Sequence, residues 1–125
     1  MTETDAMRPA GLHHVSINVD DVPAARDFYV RVLGLTERAD RPDFSFGGAW
    51  LDAGDQQVHL IEADVPPSMG QHFALAVTDL DAAVAELRAG GVPVTDPVPV
   101  GPGRQAFVTD PAGNTVELQQ PPGSS

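Results

Sequence analysis

Three of the four histidines in this sequence, together with one glutamate, fall into two pairs at a common spacing: His14 and His72 lie 58 residues apart, as do His59 and Glu117. Three imidazoles and one carboxylate, in a chain with no cysteine, form a nitrogen and oxygen donor set. Such a set suits Zn(II), Fe(II), Mn(II), Ni(II) or Co(II) and leaves room for water or a substrate. The lack of cysteine excludes thiol catalysis, thiolate metal sites and disulfides. All seven basic residues are arginines, which excludes lysine Schiff-base chemistry.

A lone histidine on a polar strand face is ordinarily just solvated, so the weight falls on the repetition and on the elements that carry it. Side chains alternate between the faces of a strand. In GLHHVSINVDD (11–21), His14 therefore shares a face with Ser16 and Asn18, while His13 shares one with Val15, Ile17 and Val19. His13 is expected on the helix-facing side as a hydrogen-bonded structural residue. In the second copy Phe73, Leu75 and Val77 take the apolar face and leave His72 with Ala74 and Ala76, small residues that suit the lining of a cavity. Glu62 and Asp64 are expected to be solvated.

Shifted by 58 residues, HVSINVDDVPAA (14–25) overlies HFALAVTDLDAA (72–83), and LDAGDQQVHLIE (51–62) overlies TDPAGNTVELQQ (109–120), matching Asp52 with Asp110. Between them RVLGL (31–35) meets RAGGV (88–92) with an offset of one. Asp21 and Asp79 supply helix N-caps, and Gly34 and the pair Gly90, Gly91 supply stops. Val22, Ala25, Phe28 or Tyr29, and Val32 make the first apolar stripe; Leu80, Ala83 or Val84, and Leu87 make the second. Strands are expected near Thr36 to Ala39, Ala49 to Asp52 and Gln57 to Glu62, then near Val92 to Val94, Gln105 to Thr109 and Thr115 to Gln119. The segment DPVPVGPGR (96–104) is expected to be a loop because of its proline and glycine content. The fold class is α+β, with two tandem βαβββ modules: module one 11–62, connector 63–71 and module two 72–120, between flexible ends at 1–10 and 121–125.

A length of 125 residues bounds this to one domain with a real core. The net charge of -11 repels nucleic acid and anionic membranes, and neither is expected as a partner. No signal peptide or membrane span is recognisable, so a cytoplasmic location is the default expectation.

The segments LHHVSINVDDVPAARDFYVRVLGL and FVTDPAGNTVELQ resemble the vicinal oxygen chelate superfamily, which includes glyoxalase I, bleomycin-resistance proteins, fosfomycin-resistance transferases, methylmalonyl-CoA epimerase and extradiol dioxygenases. The resemblance runs from about residue 11 to 120. It implies a curved eight-stranded mixed sheet around a cleft, in which a divalent metal held by His14, His59, His72 and Glu117 chelates adjacent oxygens of a small substrate. His59 departs from the glutamate or glutamine that glyoxalase I and the epimerase carry at that position, and it is either a ligand or a nearby base.

The implied function is a metal-dependent lyase or isomerase of glyoxalase type, with Glu117 as the catalytic proton acceptor and His59 as the other candidate. An Fe(II) dioxygenase using His14, His72 and Glu117 is a second reading. A third is a protein that sequesters an aromatic or antibiotic molecule without turnover, walled by Phe44, Phe46, Trp50 and Phe107. Arg38, Arg41 and Arg104 are candidates for meeting an anionic group. Modules pair within one chain or between two, and a homodimer is expected.

Overall fold

The computed structural model describes residues 6–123, so parts of both terminal segments, 1–5 and 124–125, lie outside the described residues. The first module begins with strand β1 (His14–Val19) and helix α1 (Val22–Asp27), whose Asp21 cap accepts a bond from the Ala24 amide at 3.1 Å. A proline in the first turn, Pro23, costs the helix no intrahelical bond. The helix continues as a π-helical turn (Phe28–Val32). Strands β2 (Thr36–Glu37), β3 (Gly48–Ala53) and β4 (Gln56–Glu62) complete the module. The second repeats the plan with β5 (Phe73–Ala76), α2 (Leu80–Ala89), β6 (Val98–Val100), β7 (Gly103–Thr109) and β8 (Thr115–Gln120).

The eight strands divide into two mixed four-stranded sheets, ordered β1-β4-β3-β2 and β5-β8-β7-β6. In each the first strand runs parallel to the last, as the crossover through a helix requires. Registers follow: Ser16 lies opposite His59, Trp50 opposite His59, Ala74 opposite Glu117, and Phe107 opposite Glu117. A single apolar core joins both modules, with Val19, Tyr29, Leu51 and Leu60 from the first and Leu80, Val108, Val116 and Leu118 from the second.

Four departures from the sequence expectations have physical causes. Phe28 and Tyr29 are both buried, where an α-helical stripe would take one, because the wider π turn brings an extra residue onto the core face. The strand expected at Val92 to Val94 is absent, and β6 forms instead inside the proline-rich segment. Pro99 is tolerated there because β6 is an edge strand that pairs only with β7. The repeat slips by one residue at its last turn. Gly54 and Asp55 join Ala53 to Gln56, whereas Pro111, Ala112 and Gly113 separate Asp110 from Asn114, whose carbonyl accepts the Asp110 amide at 2.9 Å. Asp110 is therefore a turn residue and Asp52 a strand residue, and Trp50 and Phe107 become structural equivalents. Finally, His13 is exposed and lies just before β1, with its ring Nδ1 2.8 Å from Nδ1 of His14. Strand alternation does not govern a residue outside the strand, so His13 is a neighbour of the candidate site and not a helix-facing structural histidine.

Candidate metal-binding half-sites

Parallel pairing of β1 with β4 places His14 and His59 on one face, where their rings stack at 3.9 Å with an interplanar angle of 14°. Trp50, reaching over from β3, stacks on the other side of His59 at 4.5 Å and 10°. His59 is only 7% exposed, and its Nε2 lies 2.8 Å from Gln57 Oε1. Burial, followed by the nearby His14, His13, Arg38 and Arg41, lowers its pKa from the reference 6.5. Neutral imidazole is the form that binds a metal or takes a proton.

The second pair joins His72, the residue just before β5, to Glu117 on β8. His72 Nδ1 lies 2.8 Å from the Gly70 carbonyl oxygen. A carbonyl only accepts, so Nδ1 carries the proton and donates it. In the neutral ring Nε2 is then a lone pair, aimed at Glu117 Oε1 from 3.0 Å. Two lone pairs facing each other at that distance repel unless a proton or cation lies between them. The Gly70 carbonyl, and after it Glu117, raise the His72 pKa above 6.5. Glu117 is 7% exposed, and its other oxygen accepts from Gln119 Nε2 at 3.2 Å. The Phe107 ring meets His72 edge-on at 5.6 Å.

The chain thus brings His14 to His59 and His72 to Glu117. Among the described residues no group of three or more His, Cys, Asp or Glu gathers within reach of one cation. The donor chemistry suits a divalent ion, and the orienting carbonyl behind His72 is the arrangement that fixes a metal-binding tautomer. A single chain, however, offers the donors two at a time and does not by itself fit the ion. A cavity of about 220 Å³ lined by Ser16, Ser68, Gln71, His72 and Thr115 lies between β1, the connector and the second sheet.

Sequence reasoning missed Gly70, Gln57 and Gln119, which hold three of the four donors: His72, His59 and Glu117 respectively. Gln57 and Gln119 have the strand parity of His59 and Glu117, a signal that was readable. Gly70 acts through its backbone and left none. Of the arginine candidates, Arg38 is paired with Asp40 and Asp52 at 2.7 and 2.8 Å, and Arg104 with Asp81 at 2.9 Å. Arg41 makes no ion pair among the described residues, and its Nη2 donates to the Phe46 carbonyl at 2.9 Å. Glu62 and Asp64 are exposed, as expected.

The model of the Glyoxalase/Bleomycin resistance protein/Dioxygenase superfamily matches residues 11–118, and the chain belongs to that superfamily. The chain is 33% identical over 122 residues to lactoylglutathione lyase GLX1 of Arabidopsis thaliana, a match covering 86% of this chain but 43% of that protein. It therefore spans less than half the length of that relative. It is 29% identical over 122 residues to lactoylglutathione lyase of Escherichia coli O157:H7, covering 86% of this chain and 90% of that one. Among solved structures, TnmS3, an antibiotic binding protein from Streptomyces sp. CB03234, is similar at 34% identity with a TM-score of 0.76, covering 92% of this chain and 98% of that chain.

Proposed function

We propose that this protein is a divalent-metal-dependent lyase or isomerase of glyoxalase type, acting on a small substrate that presents two adjacent oxygens. It works as a homodimer in which the His14/His59 half-site of one chain meets the His72/Glu117 half-site of its mate. The observation that carries the reading is the His72 and Glu117 pair, whose tautomer and carboxylate are set so that two lone pairs converge on one point. The lyase relatives support the reaction type.

In this reading the half-sites divide the work. His14, stacked against His59 and touched at Nδ1 by His13, has its ring plane fixed before any ligand arrives. Gln119 donates to one oxygen of the Glu117 carboxylate, and the other oxygen faces Nε2 of His72. Glu117 accepts a proton from the carbon beside the substrate carbonyl and returns it to the neighbouring carbon, and burial keeps bulk water from competing. His59, neutral and buried, is the second base or the fourth donor. A bound divalent cation would supply Lewis acidity at the substrate oxygens.

A complementation experiment tests the reading. His14→Ala and Glu117→Gln are each expected to abolish hemithioacetal isomerisation and to lower metal retention. Co-refolding the two inactive variants is expected to restore about a quarter of wild-type activity, since half of randomly assembled twofold dimers then carry one intact site of two. No recovery would exclude a site shared between chains, and full metal content with unchanged turnover in Glu117→Gln would exclude its role. Oxygen uptake with catechols and Fe(II) would support dioxygenase chemistry instead, while tight ligand capture by chelator-treated protein without product would support sequestration.

A further inference from the structure

The segment joining β2 to β3, with the first residue of β3, carries three features the proposed reaction does not use: a guanidinium without a carboxylate partner among the described residues, a stacked pair of exposed phenylalanines, and two consecutive glycines. Phe44 and Phe46 stack at 5.0 Å with an interplanar angle of 9°, and they are 40% and 43% exposed. The Arg41 guanidinium carbon lies 4.9 Å and 5.5 Å from their ring centroids. Phe44 in turn meets Trp50 at 6.1 Å, and Trp50 covers His59, which covers His14. Five rings therefore run without a break from the open loop to the first half-site.

The loop is clamped to the sheet. Arg41 Nη2 donates to the Phe46 carbonyl at 2.9 Å, and the Glu62 amide donates to the Gly47 carbonyl at 2.9 Å. A side chain at Gly48 would collide with the Leu60 carbonyl and approach Arg41 Nη2 to 3.1 Å, so only glycine lets the loop lie this close. The exposed rings are thus presented by a fixed backbone. In a chain with seven arginines and 18 acidic residues, the other five arginines of described pairing each hold a carboxylate: Arg26, Arg31, Arg38, Arg88 and Arg104. Arg41 is left with most of its donor fork uncommitted over an aromatic surface.

We infer that Arg41, Phe44, Phe46 and Trp50 form a recognition subsite for a planar aromatic group bearing a carboxylate, contiguous with the His14/His59 half-site. This deepens the proposed function by naming the substrate class, and it rests on that reading only for what happens after binding. The rings offer stacking area at small entropic cost, and the guanidinium gives a planar anion a bidentate partner. Neither feature alone selects an aromatic acid; together they discriminate against neutral aromatics and against aliphatic acids.

Trp50 is the only tryptophan and reports directly on the subsite. The test is saturable quenching of its fluorescence by 4-nitrobenzoate in full-length protein freed of metal by chelation, compared with 4-nitrobenzyl alcohol and cyclohexanecarboxylate. Binding of 4-nitrobenzoate is expected to be at least about tenfold tighter than of either comparison, a margin typical of one charge-assisted contact. Arg41→Gln is expected to remove that advantage while leaving the alcohol's affinity unchanged, and Arg41→Lys to recover part of it. Phe46→Ala is expected to weaken both aromatic probes. Equal affinities for all three probes, or an unchanged 4-nitrobenzoate affinity in Arg41→Gln with a native circular dichroism spectrum, would overturn the inference. Because metal is absent throughout, failure here is separable from failure of the complementation experiment, and success here survives it.

Discussion

At the scale of single residues, two histidines of the site are biased in opposite directions, and the bias has consequences for the metal-free protein. His72 has a folded pKa raised above 6.5 by the Gly70 carbonyl and Glu117. The stability it contributes is fully present below the unfolded pKa and is lost as pH rises through the folded value. His59 has a lowered pKa, from burial first. Below pH 6.5 the unfolded chain binds the proton that folded His59 resists, so stability falls on acidification. In a His59→Asn variant, urea midpoints of chelated protein should therefore decline as pH rises through the His72 titration. In a His72→Gln variant they should rise with pH over the interval below 6.5. Imidazole NMR titration should place His59 below and His72 above that reference.

At the scale of elements, the two modules are stapled by a buried polar contact that the apolar pattern did not foreshadow. The π-helical turn rotates Tyr29, fully buried, so that its hydroxyl donates to Asp110 at 2.8 Å. Asp110 also accepts from the Ala112 and Asn114 amides and from the Asn114 side chain, and that side chain donates to the Asn18 carbonyl. Desolvation and the facing carboxylate push the Tyr29 hydroxyl far above its ordinary pKa, so it stays a donor at any working pH. Tyr29→Phe, which strips one partner from a buried carboxylate, should cost about 1 to 3 kcal/mol in urea unfolding. Asp110→Ala should cost more, because the hydroxyl and the turn amides lose their acceptor together. Removing the cap in Asp79→Ala should cost about 1 kcal/mol, a smaller loss because its bond to Ala82 is exposed.

At the scale of the whole molecule, the repeat creates two equivalent half-sites, each with an aromatic side chain beside the donor of its last strand: Trp50 beside His59 and Phe107 beside Glu117. The fold class, the βαβββ element order of each module and the choice of His14, His59, His72 and Glu117 as candidate donors rest on parity and spacing, which belong to the chain itself. What spacing did not carry is how the donors group. Local periodicity fixes which face of a strand a residue occupies, but not which other strand that face confronts. The complementation experiment operates at this scale, because it asks whether one chain or two assemble the site.

The sequence by itself determined the duplicated βαβββ plan, the caps and stops of both helices, and the strand parity that puts His14 and His59 on one face, with His72 and Glu117 as their repeats. Only the tertiary structure decided that these four meet in pairs, that Trp50 and Phe107 are equivalents, that a strand forms at Val98–Val100, and that Arg41 lies over Phe44 and Phe46. The division has a physical reason: alternation and capping are set by a residue's immediate neighbours, whereas turn length, strand partners and side-chain stacking across strands are chosen by the packing of segments far apart in the chain.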